Sequence, residues 1–231
     1  ASTRRGSRKA AAGAKMLQEP APGDWRDAGS RTEKSELIRQ ALVRAAIEVV
    51  GEVGYVGASI SLITQRAGVA QGTFYNYFRT RQDLLDQLLP AMGERMLDHV
   101  RESALGGKAF PELEERSFRA FFSFLKLSPQ FFRILNEAES FAPAGHERHF
   151  EMVARRYRRF LRQSLRNGEF PAYTEADLDV IVHILMAARS YLSLRYTRGE
   201  DGIRDIPARV ATPYMKFVLS GLQGPPPDGA G

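Results

Sequence analysis

The sequence predicts an all-α protein, because helical periodicity covers almost the whole chain between its two ends. Apolar residues recur every three or four positions in one segment after another. Glycine and proline separate these segments, and no stretch keeps the two-residue alternation of a strand for long. We therefore expect about nine helices.

Composition limits the class of protein further. The chain has 231 residues, of which 43% are hydrophobic, enough for one small module and a larger helical domain. It contains no cysteine, which excludes disulfides and thiolate metal sites. It shows neither the apolar core of a signal peptide nor a run near the ~18 apolar residues of a membrane span. We expect a soluble, cytoplasmic protein.

The net charge of +6 lies entirely in the first third of the chain. Residues 1–33 hold seven basic and four acidic residues, and residues 34–82 hold six and three, so each segment carries +3. Residues 83–231 hold 20 of each sign. A localised basic region is typical of proteins that bind a polyanion, although a basic surface also serves solubility alone.

The N-terminal part predicts a disordered arm followed by four helices. Residues 1–31 lack periodicity and are basic, which is typical of an arm that contacts DNA or of a leader without a role. The first helix is predicted over about 32–53, and Gly54 follows it as a residue that can end a helix. Three helices follow, at about 60–67, 71–77 and 81–104, the last with a kink at Pro90.

The rest of the chain predicts five more helices and a disordered tail. The helices lie at about 111–127, 129–141, 146–167, 174–198 and 206–222, with a kink at Pro213 in the last. Residues 223–231 are rich in glycine and proline and predict the tail.

Residues 59–78 have the pattern of a helix-turn-helix, two short helices joined by a tight turn. Ser59 is a suitable N-cap for the first helix, and Gly68 tolerates the positive φ that the turn needs. Apolar residues on the inner faces can fix the angle between the helices. These are Ile60, Ile63, Ala67, Val69, Phe74 and Phe78. The outer face of the second helix then carries hydroxyl, amide and phenol groups, which suit phosphates and base edges.

The run from Ala67 to Phe78, followed by Arg81 and Leu84-Leu85, resembles the TetR family of regulators. The preceding Val53-Gly54-Tyr55 fits the family, as does Ser59-Ile60 with Ile63. The resemblance covers about residues 34–85. It implies an N-terminal three-helix helix-turn-helix domain over 32–80 and a C-terminal helical ligand-binding and dimerisation domain over 81–222.

The resemblance also implies which residues contact double-stranded DNA. They are Ser61, Gln71, Thr73, Tyr75, Asn76, Tyr77 and Arg81. Arg81 stands where the family usually has a lysine that holds a phosphate with the helix N-terminus. The sequence departs from the family at Ala70, where a serine commonly caps the recognition helix, and also at Leu62 and Thr64.

For the C-terminal domain the resemblance implies a small-molecule effector. Its phenylalanine-rich helices can wall an apolar pocket, which needs a few polar groups to orient a ligand. The candidate ligand-binding residues are Phe121, Phe122, Phe132, Tyr157, His183, Met186 and Arg189. The alternative for each is an ordinary place in the core, or on the surface for Arg189.

The last two predicted helices have the composition of a homodimer interface. Residues 178–188 are apolar almost all round, which predicts burial on two sides. The final helix carries a second apolar stripe, which comprises Ile206, Val210, Tyr214, Phe217, Val218 and Leu222. Two such helices from each subunit can form a four-helix interface with two-fold symmetry.

These expectations describe a ligand-responsive transcriptional regulator, a repressor if it follows the family. It would bind a palindromic operator as a homodimer and be released by a small, mostly apolar effector. Two alternatives stay open: a DNA-binding protein whose C-terminal domain binds a protein partner, and a nonspecific architectural DNA binder. The sequence has no nucleophile elbow or P-loop, and His146 and His149 lack the spacing of a helical zinc site. We expect no catalysis, cofactor or metal.

Overall fold

A computed structural model of the chain describes residues 25–199 and 202–224. Within these ranges it forms nine α-helices, a single 3₁₀ turn at Glu175–Asp177 and a two-stranded ribbon, so the all-α prediction is confirmed. The helices are α1 Arg31–Gly57, α2 Ile60–Ala67, α3 Gln71–Phe74, α4 Arg81–Ala104, α5 Phe110–Leu127, α6 Pro129–Phe141, α7 Pro143–Arg166, α8 Leu178–Tyr196 and α9 Ala208–Gln223. The predicted basic arm up to residue 24 and the predicted tail from residue 225 lie outside the described residues.

Several helix bounds differ from the prediction: α7 begins three residues earlier, at Pro143, and α8 begins four residues later, at Leu178. α1 continues to Gly57, although Gly54 interrupts it with a non-helical backbone (φ 76°, ψ 171°). α3 ends at Phe74 rather than near residue 77. The chain after α8, predicted as a plain connection, pairs as antiparallel strands β1 (Arg198–Gly199) and β2 (Gly202–Ile203).

The described chain divides into two compact units. The first holds the residues up to Leu88 together with Gln130–Pro143, and thus contains α1 to α3, the start of α4 and nearly all of α6. The second holds Leu89–Pro129 and the residues from Ala144 onwards. The single domain boundary that we predicted after residue 80 stays a prediction.

The core of the first unit forms because the apolar stripe of α1 meets the short helices that follow it. Leu42, Ala46 and Val49 of α1 are fully buried, as are Ile63 of α2 and Phe74 of α3. Burying one such large apolar side chain stabilises a fold by about 1.5–3 kcal/mol. The short helix α3 is therefore anchored to this core by its own phenylalanine.

The core of the second unit is aromatic. Phe118 of α5 stacks on Tyr214 of α9, with ring centroids 4.0 Å apart, and Phe110 meets Phe170 edge to face at 4.8 Å. These side chains are buried, with Phe122, Phe124 and Leu161 around them. Such aromatic pairs add about 0.5–1.5 kcal/mol each beyond the area that they bury.

Within residues 25–199 and 202–224, no helix combines the length and the apolar character that crossing a membrane requires. Pro90 lies inside α4 and Pro213 inside α9, and both helices continue past them.

Candidate DNA interface and effector site

Helix α2 and the turn that follows it are fixed by local hydrogen bonds. The Ser59 hydroxyl accepts a hydrogen bond from the Leu62 N–H at 3.2 Å and so caps the helix, as predicted. Gly68 ends the helix in the left-handed conformation (φ 69°). The Gly68 N–H then donates to Gln65 O, and the Val69 N–H donates to Thr64 O at 3.0 Å. This pair of bonds is the Schellman arrangement, and it sets the direction in which the chain enters α3.

Helix α3 is short and its N-terminus has no side-chain cap. Ala70 occupies the N-cap with extended backbone, and no side chain there accepts a hydrogen bond. After Phe74 the chain tightens: the Asn76 N–H donates to Thr73 O at 3.2 Å and the Tyr77 N–H to Phe74 O at 3.0 Å. These i→i−3 bonds belong to a turn narrower than an α-helix, which explains why the helix ends earlier than its sequence pattern predicts.

The side chains predicted to face DNA lie mostly on the surface of this unit. Ser61, Gln71 and Asn76 are exposed, and Tyr75 has 56% of its surface exposed. Thr73 and Tyr77 are half-buried. Polar donors and acceptors on one short, rigidly held segment have the chemistry to reach base edges and phosphates. Their contacts with DNA stay a prediction.

Arg81, also predicted to hold a phosphate, has partners within the protein. Its Nε donates to the carbonyl of Ala58 at 2.5 Å, and its Nη2 donates to the carbonyls of Tyr55 and Val56. The guanidinium therefore satisfies the carbonyls at the end of α1, where a cation is favourable. Sequence reasoning missed these hydrogen bonds from Arg81 to the end of α1, because the accepting carbonyls lie at least 23 residues away in the chain.

Helix α6 also binds the end of α1. The Glu137 carboxylate accepts a hydrogen bond from the Tyr55 N–H at 3.1 Å, beside the break at Gly54. Arg133 donates to the carbonyls of Gly51 and Glu52 at 2.9 and 2.8 Å, and its Nε pairs with Glu137 at 3.1 Å. The backbone groups that the break frees are thus satisfied by two side chains of α6.

The second unit contains a buried polar cluster that we call the Glu114 cluster: Glu114, Ser117, Tyr157, Arg189 and Tyr214. Glu114 has none of its surface exposed, and it pairs with Arg189 at 2.7 Å. It also accepts hydrogen bonds from the phenols of Tyr157 and Tyr214, at 2.7 and 2.8 Å. Arg189 donates further to Ser117 Oγ at 3.1 Å and to the Tyr157 oxygen at 2.9 Å.

The electrostatics of the cluster keep Arg189 charged and the two phenols neutral. Burial raises the pKa of Tyr157 and that of Tyr214 well above the usual value, so both stay protonated and donate. Burial is the largest influence on Arg189 and alone would lower its pKa, but the oxygens of Glu114, Tyr157 and Tyr214 together outweigh burial, so the pKa is raised. The cluster is therefore a charge-balanced unit in apolar surroundings.

The structure brings together only part of the predicted effector site. Phe121, Phe122, Tyr157, Met186 and Arg189 are all buried in the second unit. Tyr157 and Arg189 touch each other, and Arg189 is not the surface residue that we had allowed as its alternative.

His183 and Phe132 lie elsewhere. The His183 side chain is 58% exposed, and its Nδ1 lies 2.8 Å from the carbonyl of Asp179. Phe132 is buried, but it lies on α6 and thus belongs to the first unit.

Sequence reasoning missed three members of the cluster as site residues: Glu114, Ser117 and Tyr214. It did not name Glu114, and it assigned Tyr214 to an interface stripe. A signal for Glu114 was present, since it lies four residues before Phe118 and seven before Phe121, on the apolar face of α5. A carboxylate on such a face requires a buried partner.

Helix α8 carries exposed apolar side chains that recur with alternating spacings of four and three residues. Phe217 of α9 is also exposed, with 75% of its surface open to solvent. The members of this α8 face are Val180, Ile184, Ala187, Tyr191 and Leu194. A stripe with this period is typical of helices that pair with another helix.

Comparison with known proteins matches residues 42–88 to the bacterial regulatory proteins of the tetR family. The fatty acid metabolism regulator protein of Bacillus subtilis (strain 168) is 42% identical over 67 residues, which cover 27% of this chain and 34% of the relative. The chain spans about a third of the length of the curated relatives that it matches.

Solved structures show the same fold over most of the chain. A TetR-family transcriptional regulator from Syntrophomonas wolfei superposes with a TM-score of 0.67 at 21% identity, covering 84% of this chain and 99% of the other. The transcriptional regulator FadR from Bacillus subtilis, in complex with stearoyl-CoA, gives a TM-score of 0.64 at 17% identity, with coverages of 79% and 98%. Both likenesses include the helical region that follows the matched segment.

Proposed function

The N-terminal helix-turn-helix of this chain is that of the TetR family of bacterial regulatory proteins, and from this premise we propose that the protein is a ligand-responsive transcriptional repressor. It binds a palindromic operator in double-stranded DNA as a homodimer. A small, mostly apolar effector releases it. The proposal includes a cytoplasmic location, where a bacterial chromosome lies.

One observation carries the DNA-binding part of the proposal. Gln71, Tyr75 and Asn76 are exposed on a segment whose other side is anchored by the buried Phe74. The Schellman turn at Gly68 holds that segment at a fixed angle to α2. A rigid, polar, convex segment of this size fits the major groove, whose width admits a helix.

The α8 face supports the homodimer. An exposed stripe of valine, isoleucine, tyrosine and leucine is costly in water, and a second copy of the same stripe can cover it about a two-fold axis. Two recognition segments would then face half-sites that are separated by whole turns of about 34 Å. A protein that reads a palindrome needs this symmetry.

The second unit supports an effector of mostly apolar character. Its helices enclose Phe121, Phe122 and Met186 near the polar Glu114 cluster, which is the mixture that ligand sites use. One protein of the same fold was solved with stearoyl-CoA, an apolar chain on a polar head. Acyl-CoA thioesters are therefore the first effectors to test.

The deciding experiment is selection of genomic fragments by the purified protein, followed by binding titrations at one fixed salt concentration. We expect one palindrome to be recovered. Tyr75→Ala with Asn76→Ala should weaken its binding about 30-fold or more, since each of two good base contacts contributes about 1–3 kcal/mol. Val56→Ala, at an exposed residue of the same unit, is the matched control and should leave affinity unchanged. Equal binding to selected and random fragments would contradict the proposal and favour an architectural role.

A further inference from the structure

The strongest unexplained feature outside the DNA interface is the side chain of Arg189. Only 8% of this residue is exposed, and its guanidinium has five N–H donors in a fixed plane. Nη1 and Nη2 donate to Ser117, Glu114 and Tyr157. Among the described residues, none offers an acceptor to Nε, although this nitrogen is shielded from solvent. A buried charged donor without an acceptor is costly, so its retention calls for an explanation.

The charge balance of the Glu114 cluster restricts the charge of any ligand group to which Arg189 Nε can donate a hydrogen bond. The guanidinium is already neutralised by the fully buried carboxylate of Glu114, 2.7 Å away. The hydroxyl groups of Tyr157 and Tyr214 both donate hydrogen bonds to the same carboxylate. A second anion placed here would leave one negative charge without a cation in apolar surroundings, which is strongly unfavourable. A neutral acceptor satisfies Nε without that penalty.

The surroundings of Arg189 are aromatic rather than aqueous. Its guanidinium carbon lies 4.9 Å from the centre of the Tyr157 ring and 5.9 Å from that of Phe118. Phe118 in turn stacks on Tyr214, and both rings are buried. Any group that reaches Nε must therefore carry an apolar body.

We propose that Arg189 Nε is the polar anchor of the effector site and binds the neutral carbonyl oxygen of an ester, thioester or amide that carries an apolar chain. The cluster then discriminates against the free carboxylate with the same chain. This inference rests on the proposed function, because it assigns the ligand class of the effector-binding unit. Glu114 acts as a positioning residue that neutralises Arg189 and orients it.

The test compares matched ligands on the full-length protein. The probes are methyl esters and free carboxylates of straight chains from eight to sixteen carbons, and alkyl methyl ethers of equal length that lack the carbonyl. The readouts are the shift in melting temperature and the concentration that releases the selected operator fragment. We expect the best ester to act at a concentration at least tenfold lower than the acid and the ether of equal length.

Two variants test whether the preference for the ester depends on Arg189. Arg189→Lys keeps the positive charge opposite Glu114 but removes the Nε–H donor, so the preference for the ester over the ether should disappear. Arg195→Lys makes the same substitution at an exposed position of the same helix and should keep the preference. The comparison of ligands on the unmodified protein needs no variant, so it stands even if Arg189→Lys does not fold.

The other outcomes are equally decisive. Stronger action of the acid than of the ester would overturn the inference and leave an effector-responsive regulator in place. Equal action of ester and ether would overturn it as well, because Nε would then make no contact with the ligand. If no probe acts, the inference is overturned, while the operator titration in the same experiment reports separately on the DNA-binding part of the proposed function.

Discussion

His149 is a buried histidine in surroundings that disfavour its charged form. It lies on α7 with only 3% of its surface exposed, and it packs so closely on α4 that a Cβ at Gly93 would clash with its Nδ1. Burial and, to a smaller extent, the neighbouring His146 lower the pKa of His149 to about 4. A hydrogen bond with the Leu89 backbone acts in the opposite direction but is weaker.

This lowered pKa predicts that the protein loses stability in mild acid. Between the ordinary histidine pKa of 6.5 and the native value of about 4, the unfolded chain binds a proton at His149 that the native protein excludes. Stability therefore falls as the pH is lowered through this window. We expect the free energy of unfolding to fall by about 2 kcal/mol from this residue between pH 7 and pH 5, measured by urea denaturation.

The control for this prediction is another histidine. His149→Gln should flatten the pH dependence, whereas His183→Gln, at an exposed histidine, should leave it as in the unmodified protein. An equally steep loss of stability in the His149 variant would show that other groups cause it.

At the scale of single elements, the N-termini of α3 and α5 offer a matched pair. Ala70 and Ala109 both occupy N-caps with extended backbone, and neither provides a side-chain acceptor. Serine in either place supplies an acceptor for a first-turn N–H and stabilises a helix by about 1 kcal/mol. Only Ala70 precedes the segment proposed to enter the DNA groove.

We therefore expect Ala70→Ser and Ala109→Ser to raise the free energy of unfolding by similar amounts, about 1 kcal/mol each. Ala70→Ser should also tighten operator binding severalfold, because the recognition segment is ordered before it meets DNA. Ala109→Ser should not change this affinity. Chemical denaturation and DNA titration of both variants provide the check, and an equal effect of the two on affinity would argue against pre-ordering.

The positions and caps of the helices could be predicted from the sequence, whereas the long-range side-chain contacts between them could not. Helix positions follow from apolar periodicity, and the caps at Ser59 and Gly68 follow from local chemistry, so both were correct. The Tyr55 N–H beside the break at Gly54 donates to Glu137, 82 residues further along, and the buried partner of Arg189, Glu114, lies 75 residues before it. No periodicity within a window of one helix contains such information, because these pairs meet only through tertiary folding.

At the scale of the whole molecule, the α8 face predicts an assembly. Ile184 has 55% of its surface exposed and lies in the middle of the stripe. A charge there would be buried without a partner in a two-fold interface, which typically costs several kcal/mol. We expect Ile184→Asp to convert a dimer into a monomer at micromolar concentration in sedimentation equilibrium, and to weaken binding to the palindrome in parallel.

Val56→Asp serves as the control, since Val56 is an apolar residue outside the α8 face and is even more exposed than Ile184, at 75%. It should leave the molar mass unchanged. A dimer that persists in Ile184→Asp would place the interface elsewhere and remove the explanation for the stripe.

The hydrogen bonds from Arg133 and Glu137 to the end of α1 affect how proteins of this fold can exchange their domains by recombination. The first unit, which carries the segment proposed to bind DNA, is encoded in two separated pieces of the gene, because it comprises residues up to 88 together with residues 130–143. A single crossover near residue 88 would transfer the first piece but leave behind the side chains that hold Gly51, Glu52 and Tyr55. New combinations of operator and effector should therefore arise by point substitution within one protein lineage. A chimaera of two such proteins should fold only if residues up to 88 and residues 130–143 come from the same parent protein.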